Sequence, residues 1–237
     1  MWKNKNKVLI ILASLIALSV CLLIGYVLSK PEEMDINSDL VRELYNSVNP
    51  SSDASVLSLL YTTNPLSNEY IIDIGLMAYI KEHKADNIEI IPREKVEEKI
   101  EKILGPVPYM HSNVYLLEEV CGYTYNNEQK QYELIPGCGG NWYEQIHRKI
   151  VSAKKRRNQI IITEKMIYET NDWDDTMSKR TIYSDLKKSK KLDYKEISSN
   201  INYSIEIEDY IKDASTYEYV FEKKDDHYIF KSITQIN

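Results

Sequence analysis

Two phenylalanines stand against 19 tyrosines in this chain of 237 residues, which also has only three cysteines and four histidines. Each shortage narrows what the protein can do. Nowhere is there a G-x-S-x-G elbow, an H-E-x-x-H helix, a phosphate-binding loop or a dinucleotide fingerprint, so no reaction announces itself from a contiguous motif and no cofactor is implied. Catalytic triads assemble in space, so this silence leaves an enzyme open while naming no catalytic residue. His83, His111, His147 and His227 have no serine, cysteine or carboxylate at a recognised catalytic spacing. The cysteines form no C-x-x-C pair, which argues against a thioredoxin-like redox site. There is no βαβ alternation and no internal repeat, which sets aside doubly wound and solenoid folds.

One long apolar run is present. Val8 to Leu28 reads "VLIILASLIALSVCLLIGYVL", about 21 uncharged residues, enough to cross a hydrocarbon core of about 30 Å as a helix. Lys3, Lys5 and Lys7 precede it and the net-acidic "KPEEMD" follows it. That asymmetry places the amino terminus in the cytoplasm and the rest of the chain outside. A retained single-pass anchor is the favoured reading. A cleaved secretory signal would have a shorter core, although "VLS" at Val27 to Ser29 is a passable cleavage site. Lipidation at Cys21 would need a small residue before it, where Val20 stands. The expected organisation is a basic tail at 1–7, a transmembrane helix at 8–28, a neck at 29–37 and an extracytoplasmic domain at 38–237.

The whole chain carries a net charge of −6, and its first 30 residues hold four lysines and no acid, so the remainder carries −10. An acidic ectodomain argues against nucleic acid as a partner, because phosphate recognition needs a basic field. The tyrosine excess suits a half-exposed sheet, where one side of the ring is apolar and the other wet. A tyrosine-rich surface for sugars or peptides is the functional counterpart.

Helices come first, over about 38–105. "DINSDLVRELYNSVNP" places Ile36, Leu40, Val41, Leu44, Tyr45 and Val48 on one stripe. "EYIIDIGLMAYIKEH" reads as a buried helix weakened by Gly75. "PREKVEEKIEKILG" starts with Pro92 at the first helical position and ends at Gly105, a left-handed cap. From about 113 to 237 the period becomes alternating, predicting an antiparallel meander. Its last hairpin turns at Lys224-Asp225, with Phe221 facing Tyr228 and Tyr219 facing Phe230. Its middle hairpin turns at Lys155 to Asn158, with Val151 facing Ile162 and Lys149 facing Glu164. "RTIYSD" is a further strand, and "IEIEDYIKDA" a short helix. The fold class is α+β.

The first hairpin is "CGYTYNNEQKQYELIPGC". Pairing Tyr125 with Leu134 and Tyr123 with Pro136 brings Cys121 opposite Cys138, on one face and within bridging reach. Outside the membrane such a disulfide persists. Two unpaired thiols are the alternative. A metal site drawn from Cys121, Cys138, His111 and His147 lacks the close ligand spacing of zinc sites.

Lys154, Lys155, Arg156 and Arg157 form the strongest basic cluster, either a finger for anionic lipid or wall polymer or a solvated hairpin tip. Lys187 to Lys191 reads the same way. "NDWDDT", Asn171 to Thr176, has the acids of a calcium loop without its glycine or closing glutamate. Trp173 there and Trp142 after "GCGG" are candidates for stacking on a sugar ring, or for packing on their own sheet.

The lysine-flanked anchor, "DINSDLVRELYNSV", "IPREKVEEKIEKILG", the "CGYTY…GCGG" hairpin, "IVSAKKRRNQIIITEKMIY" and the closing "YEYVFEKKDDHYIFKSI" together resemble single-pass, membrane-anchored extracytoplasmic proteins of low-G+C bacteria. That group has no assigned activity, so no functional residue carries over. The layout is also similar to the curved-sheet cone of the nuclear transport factor 2 superfamily, which hosts binding proteins and enzymes alike. The functional expectation is a tethered binding or interaction domain in the envelope, contacting an envelope protein or wall polymer through an exposed tyrosine and aliphatic patch. An envelope hydrolase with a site assembled in the fold is the alternative.

Overall fold

A computed structural model of the chain describes residues 30–49, 66–83, 88–117, 121–135, 144–173, 176–198 and 204–236. The apolar leader, Val8 to Leu28, lies outside these. Among the described residues no helix is long and apolar enough to cross a membrane.

Among the described residues three α-helices precede most of the strands. Helix α1 (Asp39–Val48) buries Val41, Leu44, Tyr45 and Val48, an i, i+3, i+4, i+7 seam. Leu40 was expected on that stripe but lies on its flank and is 40% exposed. Helix α2 (Asn68–Glu82) is capped by the Ser67 hydroxyl, which accepts the Tyr70 N–H at 3.2 Å. It is apolar around most of its circumference, as a helix does when covered on several sides. Gly75 is where α2 meets helix α3 (Arg93–Leu104). A Cβ there would stand 2.7 Å from Val96 Cγ1 and 2.8 Å from the Val96 carbonyl oxygen, so the residue that weakens the helix in isolation lets two helices touch. Helix α3 buries Val96, Ile100 and Leu104. Pro92 sits one position earlier than expected, as N-cap, because it also closes a strand.

All strand pairings are antiparallel, and the strands form two sheets where one meander was expected. The smaller sheet runs β2-β5-β4-β3, from β2 (Ile90–Pro92), β3 (Val114–Leu117), β4 (Cys121–Asn126) and β5 (Gln131–Leu134). The larger contains β1 (Glu32–Glu33), β6 (Glu144–Arg156), β7 (Gln159–Trp173), β8 (Met177–Tyr183), β9 (Lys191–Ser198), β10 (Ser215–Lys224) and β11 (His227–Ile236). Its organising strand is β7. Strand β6 pairs along one side of it; on the other, β10 takes Gln159 to Met166 and β8 takes Tyr168 to Trp173. Within the expected neck, Glu32 and Glu33 add a short edge strand beside Lys155 and Lys154.

Beside its turn each of the three expected hairpin registers is off by two residues, and a bulge changes the offset further along the middle and last ones. Tyr123 faces Leu134 and Tyr125 faces Tyr132, so the pairing that brought Cys121 opposite Cys138 does not hold. Ala153, not Val151, faces Ile162, and Lys149 faces Lys165. Phe221 faces Phe230, and Tyr219 faces Ile233. Two of the turns are tight and centre on Arg157-Asn158 and Asp225-Asp226, with φ of 55° at Arg157 and 54° at Asp225. Glycine normally marks that conformation, and neither turn contains one. A slip of two, as beside each turn, leaves the side chains there on their expected faces. Gly122, beside Cys121, has φ 138°, and a Cβ there would fall 1.9 Å from the Val114 carbonyl oxygen. The glycine of the first Cys-Gly pair is therefore a backbone requirement.

A main core joins the helices to both sheets, with Tyr70, Tyr132, Tyr219, Phe221, Ile72 and Ile160 among its largest members. A second, smaller core lies around Ile167, Ile182, Ile205, Ile207 and Ala214, beside a 3-10 turn at Ile207–Tyr210. Ile160, Ile162, Met166 and Tyr168 of β7 join the first core, while Ile167 joins the second.

Candidate functional site

Strands β6, β7 and β10 lie side by side, and their register sets Ile150, Glu164 and Tyr217 in one row, with Arg148 opposite Met166 two residues along. Glu164 is fully buried. Taking a carboxylate out of water costs on the order of several kcal/mol unless its oxygens are satisfied. Here Tyr45, descending from α1, and Tyr219, from β10, both donate their hydroxyls to it, Tyr219 at 2.6 Å. The two rings meet edge to face at 5.5 Å. The Arg148 guanidinium lies 5.6 Å over the Tyr45 ring. Asn49 donates its amide to the Tyr45 carbonyl at 2.9 Å, and the Tyr70 hydroxyl donates to the Val48 carbonyl, so the end of α1 is tied into the same network. Burial first, then the Glu164 charge, pushes the Tyr45 hydroxyl far above its ordinary value of 10.0. Burial first, then Asp73, does the same at Tyr70. These hydroxyls stay protonated, as donors to a carboxylate (Tyr45) and to a backbone carbonyl (Tyr70) must.

A cleft of about 370 Å³ opens above this network, lined by Arg42, Tyr45 and Asn46 of α1 and by Arg148 and Ile150 of β6. The three helical residues are at i, i+3 and i+4 and share a face. The Arg42 guanidinium is steadied by a 2.8 Å hydrogen bond to Asn37 Oδ1. On the opposite wall, β6 carries a bulge between Ile150 and Ser152. It lets Arg148 and Ile150 face the helix while Ala153 beyond it still joins the core; such bulges commonly re-aim side chains beside functional sites. The lining contains two guanidiniums and no carboxylate, histidine or cysteine. Two other clefts, about 330 and 390 Å³, share Glu43 and Lys102; the first adds Glu82 and Lys99, the second Asp226 and His227.

Two histidine clusters lie elsewhere. His111 contacts the Tyr132 hydroxyl at 2.5 Å and Glu97 at 3.0 Å, and Arg93 bonds the same Glu97 oxygen at 2.7 Å. Burial pushes the Glu97 carboxyl up, but the hydrogen bonds from Arg93 and His111 outweigh it and hold the carboxyl below its ordinary value. His147 pairs at 2.7 Å with Glu169, which Arg180 also reaches at 3.1 Å. Thus His111 and His147 serve different carboxylates. Among the described residues no group of three or more His, Cys, Asp or Glu could hold a metal ion.

The residues singled out from sequence lie apart from the cleft or outside the described residues. Cys138 and Trp142 are outside them, and only the backbone of Cys121 and Trp173 is described. Asn171, Asp172 and Trp173 belong to β7 and pair with β8, so the expected acidic loop is half strand. Lys155, Arg156 and Arg157 are exposed at the β6–β7 tip, while Lys154 forms a 3.2 Å ion pair with Glu33. In the Lys187 to Lys191 segment, Lys190 pairs with Asp213 at 2.5 Å and the Lys188 ammonium lies 5.7 Å from the Tyr168 ring. Part of the tyrosine excess is internal. Tyr45, Tyr70, Tyr123, Tyr132, Tyr168, Tyr217 and Tyr219 are buried, and several of their hydroxyls bond internal acceptors.

Sequence reasoning missed Glu164, although a signal was there. In "QIIITEKMIY" alternation places Ile160, Ile162, Glu164 and Met166 on one face, so an acid sits at an inward position. Set against protein-family models, curated proteins and solved structures, the chain matches none of them.

Proposed function

We propose that this protein is a membrane-tethered extracytoplasmic binding domain, envelope-associated, whose ligand seats in the cleft between α1 and β6. Residues 8–28 form its single membrane span, with the amino terminus in the cytoplasm. The observation that carries the reading is the make-up of the cleft: binding groups on both walls, backed by a fully buried Glu164 that pins Tyr45 to the sheet. Sites of this volume suit small molecules or a single side chain of a larger partner. A hydrolase at this cleft would need a histidine or carboxylate, which its described lining residues do not include; that alternative would have to sit at the cleft of about 390 Å³ that holds Glu43, Asp226 and His227.

The test is Asn46→Cys in the full-length protein, labelled in intact cells with a membrane-impermeant maleimide and compared with the parent chain. Labelling above the parent in intact cells is expected. Labelling only after lysis would overturn the topology, and none after lysis would show that the cleft is closed.

A further inference from the structure

The acidity of the domain makes one local exception informative. Residues 31–237 carry a net charge of −10, yet the α1–β6 cleft is lined by two guanidiniums, an amide and a tyrosine, with no acid among them. A concave site of one sign focuses field and concentrates the opposite charge. From Arg42 on the helix and Arg148 on the bulged strand, we propose that the cleft binds a small ligand through an oxyanion group, a carboxylate or a phosphate. This rests on the reading of the same cleft as the ligand site.

The geometry suits that chemistry. A guanidinium presents a planar fork of donors that matches either group with two parallel hydrogen bonds, which an ammonium does not. Arg42 is exposed and held from behind by Asn37, while Arg148 is half-buried and braced over the Tyr45 ring. Arg42 thus offers an exposed guanidinium on the helix wall and Arg148 a half-buried one on the strand wall. The Asn46 amide adds a donor between them, and Ile150 gives the remainder of a ligand an apolar contact. Glu164 lies beneath, fully buried, accepts the Tyr45 and Tyr219 hydroxyls, and is not among the residues that line the cleft.

The experiment titrates the full-length protein with inorganic phosphate and, separately, with succinate, at constant ionic strength set with sodium chloride. Saturable binding of one or both is expected. Arg42→Ala and Arg148→Lys are each expected to weaken it tenfold or more, and Arg156→Ala, at the distant hairpin tip, to leave it unchanged. Succinate binding alone identifies carboxylate ligands, and phosphate binding alone identifies phosphate ligands. Arg42→Ala changes an exposed side chain, so the test survives if Arg148→Lys fails to fold. Absence of saturable binding to both probes would overturn the proposal, as would binding that Arg42→Ala leaves intact or that Arg156→Ala weakens equally. Such a failure with Asn46→Cys still labelled from outside would overturn the ligand chemistry and leave the tethered-domain reading standing.

Discussion

Glu164 and Glu169 stand on the same strand, both buried, on opposite faces of the sheet. Glu164 looks toward α1 and α2 and receives two tyrosine hydroxyls. Glu169 looks the other way and receives an imidazole and a guanidinium. One donor to Glu164 comes from helix α1 and the other from the adjacent strand β10, so that carboxylate joins layers. The partners of Glu169 come from the adjacent strands β6 and β8, so it stitches one sheet to itself. Satisfying a buried charge with long-range partners makes it a joint, and doing so with neighbours makes it a local clasp.

The contrast breaks most easily at the joint. Glu164→Ala leaves the Tyr45 and Tyr219 hydroxyls without their acceptor in a closed core, an expected loss of about 3–5 kcal/mol in denaturant unfolding. Glu169→Ala is expected to cost less, about 2 kcal/mol, because Arg180 and His147 retain partial access to water, 16% and 20% of their side chains. Equal losses would erase the distinction.

Alkali sharpens it next. Tyr45, Tyr70 and Tyr217 have hydroxyls pushed above 10.0 in the fold, burial being the first cause at each. A raised folded value gives stability that is complete below the unfolded value and lost as pH rises above it. Stability should therefore decline above about pH 10, and tyrosinate absorbance should show one group of rings ionising normally and another only on unfolding. A single unperturbed titration would contradict the buried network.

Acid provides the smallest effect. Glu97 is held below its ordinary 4.5, so its contribution is present above that value and lost as pH falls through the lower folded one. Its side chain is 40% exposed, which limits the effect to under about 1 kcal/mol. Glu97→Gln should flatten the acid limb of the stability profile below pH 4.5 while leaving neutral stability nearly unchanged.

Much of the local structure was legible in the sequence. The α1 seam, the buried α2 and the strand faces follow from spacing, because 3.6 and 2.0 periodicities leave their mark on neighbouring residues. Register was not legible, because Arg157 and Asp225 occupy turn positions where glycine would have been the flag. Nor was the division into two sheets, which depends on β2 pairing with β5 across α3. The site lay further still from view. Tyr45, Arg148, Glu164 and Tyr219 come from four separate elements, and only the acid at an inward strand position hinted at them.

The central claim is that one carboxylate, Glu164, joins the helix wall of the cleft to the sheet through two tyrosines. A double-mutant cycle of Tyr45→Phe and Tyr219→Phe, read by denaturant unfolding of the full-length protein, tests it directly. Two hydroxyls serving one buried acceptor should couple, with an interaction energy of about 1 kcal/mol or more. Strict additivity within error would contradict a shared joint.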